Sequence, residues 1–454
     1  MKLKNLLFAS AAGMMVVTGA QAADLPTVEP VEYVRICDAF GTGFFYIPGT
    51  DTCLKISGYA RYEAHYVGDN DIATYDPSDG RTNDPAAYGN DAAFNNFTTR
   101  VRGEVQFDAR TMTDMGLLRS YIALRGTIGP RDFGNDGGYG DGFNIDKAWL
   151  SLANDTGTLT AGHHGSFFDF FGGNAMNTRI GGDDPTLSTN LLAYTFAIGN
   201  GVSASVSIED NHYRRYGNGA GVYTTSLPHT GINTVTVANT GSAGLFTTGS
   251  EGQELPDFVA NIRVDQGWGS AQIMGAVGRV GVPGNATAGA SPAVFPAFDE
   301  IGWAVGAGAS VGVPGTGIGF DIQGSWAEGL VAYSTTGNGA LLFDSVYTSA
   351  TPIDDGNGIA LTEVWAIQAS LTGDISPTLS ASLDGTYANV DHNGSLRNED
   401  YDTWVIAGTV HWKPVSGLTV SGEVAYENID ADSGSSFVVD DDVWGAMMRL
   451  NRSF

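Results

Sequence analysis

Beyond its amino terminus, the sequence has no run of about 20 apolar residues, the length that a transmembrane helix requires. Basic residues are also scarce: 22 Lys and Arg stand against 50 Asp and Glu, which gives a formal net charge of −28. This acidic excess argues against nucleic acid as a partner and suits a solvated acidic surface. A helical membrane protein and a nucleic-acid-binding protein are therefore both disfavoured.

The first 22 residues have the features of a secretory signal peptide. Lys2 and Lys4 supply positive charge, residues 6–17 form a short apolar stretch, and residues 20–22 are a small-x-small cleavage site. The stretch is too short for a membrane anchor. We therefore expect residues 1–22 to be removed and the mature chain to reach an oxidising compartment.

Cysteine is rare as well, because Cys37 and Cys53 are the only two in the chain. A metal or redox site needs more ligands than two isolated cysteines provide. In an exported protein the default for such a pair is a disulfide. We predict a Cys37–Cys53 disulfide within an N-terminal segment at 23–54.

From Lys55 onward the sequence repeats segments of about 8 to 13 residues that alternate in polarity, separated by Gly, Asp, Asn and Pro. Segment 402–412 is the most informative, because Trp404 and Trp412 stand at the two ends of its apolar face. A soluble β-sandwich is the alternative, but its strands rarely carry tryptophan at both ends of an outward face. The pattern predicts a transmembrane β-barrel over residues 55–454.

The predicted fold is all-β, a 16-stranded antiparallel transmembrane barrel wide enough for an aqueous channel. Long and short connections alternate, as expected for external loops and periplasmic turns. The candidate strands lie near 55–67, 96–110, 116–128, 145–153, 157–163, 190–198, 201–210, 257–265, 268–279, 301–311, 316–327, 362–372, 378–390, 402–412, 417–428 and 442–454.

Six basic residues of the first strands share the polar face by strand parity. Charge on the lipid face near the midplane costs about 2–4 kcal/mol, so the lumen is their expected place. Glu63 and Glu104 could balance their repulsion. We predict a basic patch at a pore constriction, with an ordinary set of solvated lumen residues as the alternative. The six are Arg61, Arg100, Arg102, Arg119, Arg125 and Lys147.

The long connection 164–189 is the candidate for the opposite side of the constriction. It carries four phenylalanines within residues 167–171, which suit a loop that folds inward and packs on the inner wall. Asp169, Asp183 and Asp184 would then face the basic residues and create a transverse field. The alternative is an external loop buried at a subunit contact.

Signs of catalysis or metal binding are weak. The sequence has no Gly-x-Ser-x-Gly motif, and its histidines are dispersed apart from His163 and His164. On a strand those two side chains face opposite sides and cannot ligate one metal. Aspartate-rich runs do not match a calcium-loop spacing. We expect no enzyme activity, no metal and no cofactor.

The segment 31–59, which contains both cysteines, resembles the amino-terminal signature of alphaproteobacterial porins. The resemblance continues in Lys147-Ala148-Trp149-Leu150-Ser151-Leu152, in Gly157-Thr158-Leu159-Thr160-Ala161-Gly162 and in the ending Arg449-Leu450-Asn451-Arg452-Ser453-Phe454. Phe454 resembles the carboxy-terminal signal read by the barrel-assembly machinery. General porins often have Arg-Gln where His163-His164 stand here, so a detailed copy of their constriction is not expected.

The resemblance implies a homotrimer in the outer membrane of a Gram-negative cell, in contact with lipid and lipopolysaccharide. The third external loop would lie in the lumen, with Arg61, Arg100 and Arg102 as its basic wall. Passive diffusion of small hydrophilic solutes and ions is the expected function. A nutrient-selective channel and a surface adhesin on a barrel scaffold remain alternatives.

Overall fold

Sixteen barrel strands and one two-residue strand form a single antiparallel sheet among the described residues of a computed structural model of the chain. The structure describes residues 35–68, 75–76, 81–82, 97–129, 142–176, 188–211, 214, 254–282, 298–334, 350–352, 359–393, 400–431 and 441–454. The predicted signal at 1–22 lies outside this part of the chain. The strands are β1 Cys53–Gly68, β2 Phe97–Thr113, β3 Gly116–Ile128, β4 Gly142–Asn154, β5 Gly157–Gly165, β6 Ser188–Gly199, β7 Val202–Glu209, β8 Asp257–Gln266, β9 Gly269–Val282, β10 Phe298–Val313, β11 Ile318–Glu328, β12 Glu363–Ser376, β13 Leu379–Asp391, β14 Tyr401–Val415, β15 Leu418–Ala431 and β16 Asp441–Ser453.

The sheet closes on itself, because β1 pairs with β2 on one side and with β16 on the other. Tyr59 is the register partner of Ser453, and the following pairs continue to Gly68 and Trp444. Gly58 and Phe454 exchange two backbone hydrogen bonds of 3.1 and 3.0 Å at the end of this seam. Closure leaves no open edge, which in lipid would expose unpaired backbone groups.

The predicted 16-stranded barrel is confirmed, and each of the sixteen segments overlaps one strand. Differences lie at the strand ends. For example, β10 begins at Phe298 instead of 301, and β14 extends to Val415 instead of 412. At these two ends, backbone pairing continues past the point where the apolar alternation ends, so the polarity pattern underestimates the length of β10 and β14.

Successive side chains along each strand point alternately to the outside and to the inside of the barrel, and the outward side chains are mostly apolar. On β14 the outward Ile406 and Val410 are exposed on the outside of the barrel, whereas Val405, Ala407 and Thr409 are buried on the inside. Most strands combine an outward apolar face with inward polar groups. The inner face of β9 and β10 is mostly apolar, and phenylalanines of the segment after β5 pack against it.

Aromatic side chains form an outward belt near the ends of eight neighbouring strands, β10 to β16 and β1. All eight ends lead into the long connections that are predicted to be external. Ring centroids of neighbours lie 5.0–5.7 Å apart. Such a girdle is typical of a membrane interface. The pairs are Trp303–Trp326, Trp365–Tyr387, Trp404–Tyr426 and Trp444–Tyr66.

Short elements complete the described fold. They are the 3-10 helices Asp38–Phe40 and Val331–Tyr333, the two-residue strand Phe45–Tyr46, and the strand pairs Tyr75–Asp76 with Arg81–Thr82 and Ala350–Pro352 with Ile359–Leu361. Within the described ranges, no helix has the length and apolar character needed to cross a membrane.

The N-terminal segment before β1 is joined to that strand covalently. Cys37 and Cys53 form the expected disulfide, with 6.0 Å between their Cα atoms. Both half-cystines are buried together with Phe44. Strand Phe45–Tyr46 pairs with the start of β1, so the disulfide closes a small hairpin onto the barrel end that faces the short turns.

We predict that replacing both cysteines by serine lowers the stability of this end of the barrel by roughly 3 kcal/mol, the loop-closure entropy of such a crosslink. Thermal unfolding of purified barrel in detergent, followed by circular dichroism, measures the change. Reductant should lower the midpoint of the wild-type protein and leave the double variant unchanged. An equal effect of reductant on both proteins would contradict the prediction.

Candidate pore constriction

Residues 166–176, which follow β5, lie inside the barrel along its inner wall. Asn261 on β8 donates to the Phe167 carbonyl at 2.6 Å, and Gln272 on β9 donates to the Asp169 carbonyl at 2.9 Å. Gln323 on β11 accepts from the backbone amides of Phe170 and Phe171. The predicted inward-folded third loop is therefore confirmed, and we call residues 166–176 the constriction loop.

The constriction loop is held by polar side chains that come from successive strands. Each one binds a backbone or side-chain group of the loop, because buried amides and carbonyls need partners when water is excluded. The loop thus runs around the wall from β7 to β16. The side chains are Glu209, Asn261, Gln272, Gln323, Ser370, Asp384, Glu423 and Arg449.

Two glycines on β10 provide space for the phenylalanines. A Cβ atom at Gly308 would lie 2.3 Å from Cδ1 of Phe170, and one at Gly306 would lie 3.3 Å from Cζ of Phe168. Phe168 is fully buried in an apolar cluster with residues of β8 to β11, and Phe167 and Phe170 pack against that cluster. The expected packing of this aromatic run is therefore present, on an inner wall that is locally apolar.

The start of the constriction loop is anchored by the buried carboxylate of Glu209. It accepts hydrogen bonds from the Ser166 hydroxyl at 2.8 Å and from the Phe167 amide at 2.9 Å. The same carboxylate pairs with Arg214 at 2.6 Å, and Arg214 also donates to the Tyr333 hydroxyl at 2.7 Å. Removing one partner of such a buried pair typically costs about 3–5 kcal/mol.

Met176, the last described residue of the constriction loop, contacts the basic wall. Arg449 on β16 donates to the Met176 carbonyl at 3.0 Å and to the Glu63 carboxylate at 2.6 Å. Glu63 also pairs with Arg100 at 2.5 Å, and Arg61 lies 3.8 Å away. The buried Glu63 carboxylate thus links Arg449, which binds the loop, to Arg61 and Arg100, two residues predicted from the sequence.

All six predicted basic residues occupy inward positions on β1 to β4. Arg61 and Arg102 are direct register partners, so both side chains lie on the same wall. Arg100 and Arg102 are buried, whereas the side chains of Arg61, Arg119 and Arg125 keep 20–31% of their surface exposed. Arg61, Arg119 and Arg125 are therefore the arginines of this group that contact solvent in the lumen.

Carboxylates on the same wall reduce the repulsion among these cations. Asp108 binds Arg119 through two hydrogen bonds of 2.9 Å. Arg125 pairs with Glu104 at 2.9 Å and with Asp146 at 2.5 Å. Of these partners, only Glu104 was anticipated from the sequence.

A β-bulge explains why Asp146 was missed. The pairing of β3 with β4 skips this residue, because Ala123 pairs with Lys147 and Leu124 pairs with Ile145. The extra residue breaks the alternation on which the sequence prediction relied. Asp146 and the predicted Lys147, although adjacent in sequence, can consequently both point towards the lumen.

Acidic residues expected on the opposite side are only partly described. Asp169 lies against β9, half the barrel away from the basic wall. Asp183 and Asp184 lie outside the described residues. Asp384 on β13 and Glu423 on β15 also face the loop, and their carboxylates accept hydrogen bonds from loop amides at 2.7 and 2.5 Å. No local sequence signal marks them, because their partner lies more than 200 residues away.

The adjacent histidines separate as strand parity requires. His164 points inward, where its ring meets Trp149, and His163 points outward to Asn190. In the portion of the chain that the structure describes, no group of three His, Cys, Asp or Glu side chains could hold a metal ion.

Comparison with known proteins agrees with this architecture. A family model described as the porin subfamily matches residues 24–447. The chain belongs to the porin subfamily. This porin is similar to porin Omp2b of Brucella canis, 28% identical over 468 aligned residues that cover all of both chains. Porin Omp2b of Brucella suis is 29% identical over 470 aligned residues, again with full coverage of both chains.

Solved structures share the fold of this porin. The outer membrane channel DcaP of Acinetobacter baumannii has a TM-score of 0.59 at 18% identity, with 90% of this chain and 99% of that chain covered. OmpT of Vibrio cholerae has a TM-score of 0.51 at 10% identity, with 89% and 100% covered. With family membership and a closed barrel, the chain is an outer-membrane porin.

The contact between Phe170 and Gly308 allows the position of the constriction loop to be tested. We predict that Gly308→Ala forces the Phe170 ring off the wall towards the lumen and lowers single-channel conductance. Gly312→Ala on the same strand is the matched control, because a Cβ there meets nothing within 4 Å. Overpacking of this kind costs about 1–3 kcal/mol. Equal conductance of the two variants in planar bilayers would contradict the placement of the loop.

Proposed function

We propose that this porin conducts small hydrophilic solutes and ions by passive diffusion between the constriction loop and the basic wall. One observation carries the proposal. The loop is bound to the wall from β7 to β16, and guanidinium groups on β1 to β3 keep part of their surface in solvent. A barrel of sixteen strands is wide enough that its inward side chains leave a water-filled channel.

The charged side chains around the constriction favour the passage of polar solutes. Lumen-facing cations outnumber carboxylates on β1 to β4, whereas the carboxylates of Glu209, Asp384 and Glu423 lie on β7, β13 and β15, where they bind the constriction loop. Opposed charges orient water and polar solutes and disfavour apolar ones. We assign the predicted residues Arg61, Arg100, Arg102, Arg119, Arg125, Lys147 and Asp169 to this constriction, with Asp183 and Asp184 as further acidic candidates.

The remaining partners follow from the architecture and the family resemblance. We propose that the porin is a homotrimer that contacts lipid and lipopolysaccharide through its outer face. Phe454 would be read by the assembly machinery before its backbone closes the seam with Gly58. The protein would act as a channel without catalytic activity, after removal of the signal at 1–22.

Single-channel recording in planar lipid bilayers tests the proposed diffusion. We expect stepwise insertions whose conductance rises in proportion to bulk salt concentration, because ions cross a water-filled path. Saturation of the conductance at low salt would indicate a selective binding channel instead. Purified, folded protein that produces no steps would overturn the proposal and favour an adhesin with a plugged lumen.

The basic wall should set ion preference. We predict that the double variant Arg61→Gln, Lys147→Gln shifts the reversal potential under a salt gradient towards cations, because two lumen charges are lost. Arg279→Gln removes a cation from the outward side of β9, where it pairs with Asp299, and serves as the control. An unchanged reversal potential in the double variant would show that this wall does not border the ion path.

A further inference from the structure

Four ring-bearing side chains follow one another along the lumen side of β3, β4, β5 and the start of the constriction loop. The ring centroids of Tyr121 and Trp149 are 5.4 Å apart, those of Trp149 and His164 are 5.2 Å apart, and those of His164 and Phe167 are 6.1 Å apart. We call these four residues the aromatic track. It leads along the basic wall to the base of the loop.

Strand register places the aromatic track. Tyr121 and Trp149 are direct partners on β3 and β4, and Trp149 is the partner of Gly162 on β5. A Cβ atom at Gly162 would lie 2.6 Å from the Cα of Trp149, and the φ angle of this glycine is +128°. Only glycine suits such a conformation without strain. The backbone of β5 is thus shaped to pass close beside Trp149.

Positive charge accompanies the rings. The guanidinium carbon of Arg119 lies 4.8 Å from the Trp149 ring centroid and 5.9 Å from that of Tyr121. Arg119 shares the Asp108 carboxylate with Arg110, so two cations stand beside one anion. The Arg119 side chain keeps 31% of its surface exposed. An anion that reaches this point therefore meets a net positive, solvent-accessible group.

The rings of the aromatic track are all half-buried, so part of each surface remains open to the lumen. Their position differs from that of the outward belt, whose rings meet the membrane interface. Polarisable ring faces in a wet passage favour solutes that also have a flat apolar face. The neighbouring guanidinium favours a carboxylate on the same solute.

We propose that the aromatic track and Arg119 form a binding subsite for aromatic carboxylates. The ring of the solute stacks on Trp149 and Tyr121, and its carboxylate approaches Arg119 from the lumen. The subsite rests on the proposed diffusion function and adds a solute class to it. Binding remains weak, because a channel site must release its solute for flux to continue.

Current block by two matched acids tests the subsite. Benzoate has a flat aromatic face, and cyclohexanecarboxylate has the same charge and ring size without it. Each acid is added to wild-type porin in a planar bilayer, and the concentration that halves the single-channel current is measured. We expect benzoate to block at the lower concentration. Equal half-blocking concentrations in the wild type would overturn the proposal whatever the variants do.

Substitutions locate the site. Trp149→Leu should raise the half-blocking concentration of benzoate by about two- to twelvefold, the factor expected for one aromatic contact, and leave cyclohexanecarboxylate unchanged. Arg119→Gln should weaken both acids. Trp404→Leu changes a ring of the outward belt and should match the wild type. If benzoate block survives Trp149→Leu unchanged, the track is not the site.

Failure of the subsite is distinguishable from failure of the diffusion function. A wild-type protein that conducts in proportion to salt but blocks equally with both acids retains the proposed function and loses the subsite. Wild-type protein without conductance loses both. Should Trp149→Leu fail to fold, Tyr121→Leu carries the same expectation for the second ring, with a similar loss of preference for benzoate.

Discussion

Backbone hydrogen bonding that must close on itself is the constraint on which this structure depends. The hydrocarbon interior of a membrane offers no partner for peptide groups, so a sheet that crosses it cannot keep an edge. The pairing of β1 with β16, extended by the backbone exchange between Gly58 and Phe454, satisfies that requirement. Once the barrel is closed, its outward apolar faces can contact lipid chains, and the aromatic belt can lie at the membrane interface.

Inside the ring, the same need for hydrogen-bond partners positions the constriction loop. Its residues have no strand ladder of their own, and the wall supplies side chains such as Glu209, Gln323 and Glu423 in place of one. Gly308 adds space where the wall must accept an aromatic ring. The loop is therefore held by many separate bonds, from strands that span most of the barrel. This spread explains how an irregular segment keeps a defined position in a wet lumen.

Most of the fold could be predicted from the sequence, and so could the inward positions of the basic residues on β1 to β4. Period-two polarity located all sixteen strands and the inward side of Arg61 and Lys147, because alternation on a strand is a local property. The four phenylalanines at 167–171 indicated an inward loop, because so many apolar rings within five residues need a buried surface to pack on. By contrast, Glu209 and Asp146 escaped notice. Glu209 matters through a loop more than 40 residues earlier, and Asp146 sits in a bulge that breaks the alternation.

Glu63 has a role that follows from its three arginine neighbours. It pairs with Arg100 and Arg449, and Arg449 also binds the last described carbonyl of the constriction loop. In the proposed constriction, the charge of the wall and the position of the loop consequently depend on the same carboxylate. A substitution that removes the charge of Glu63 therefore also removes a partner of Arg449, the residue that binds the loop at Met176.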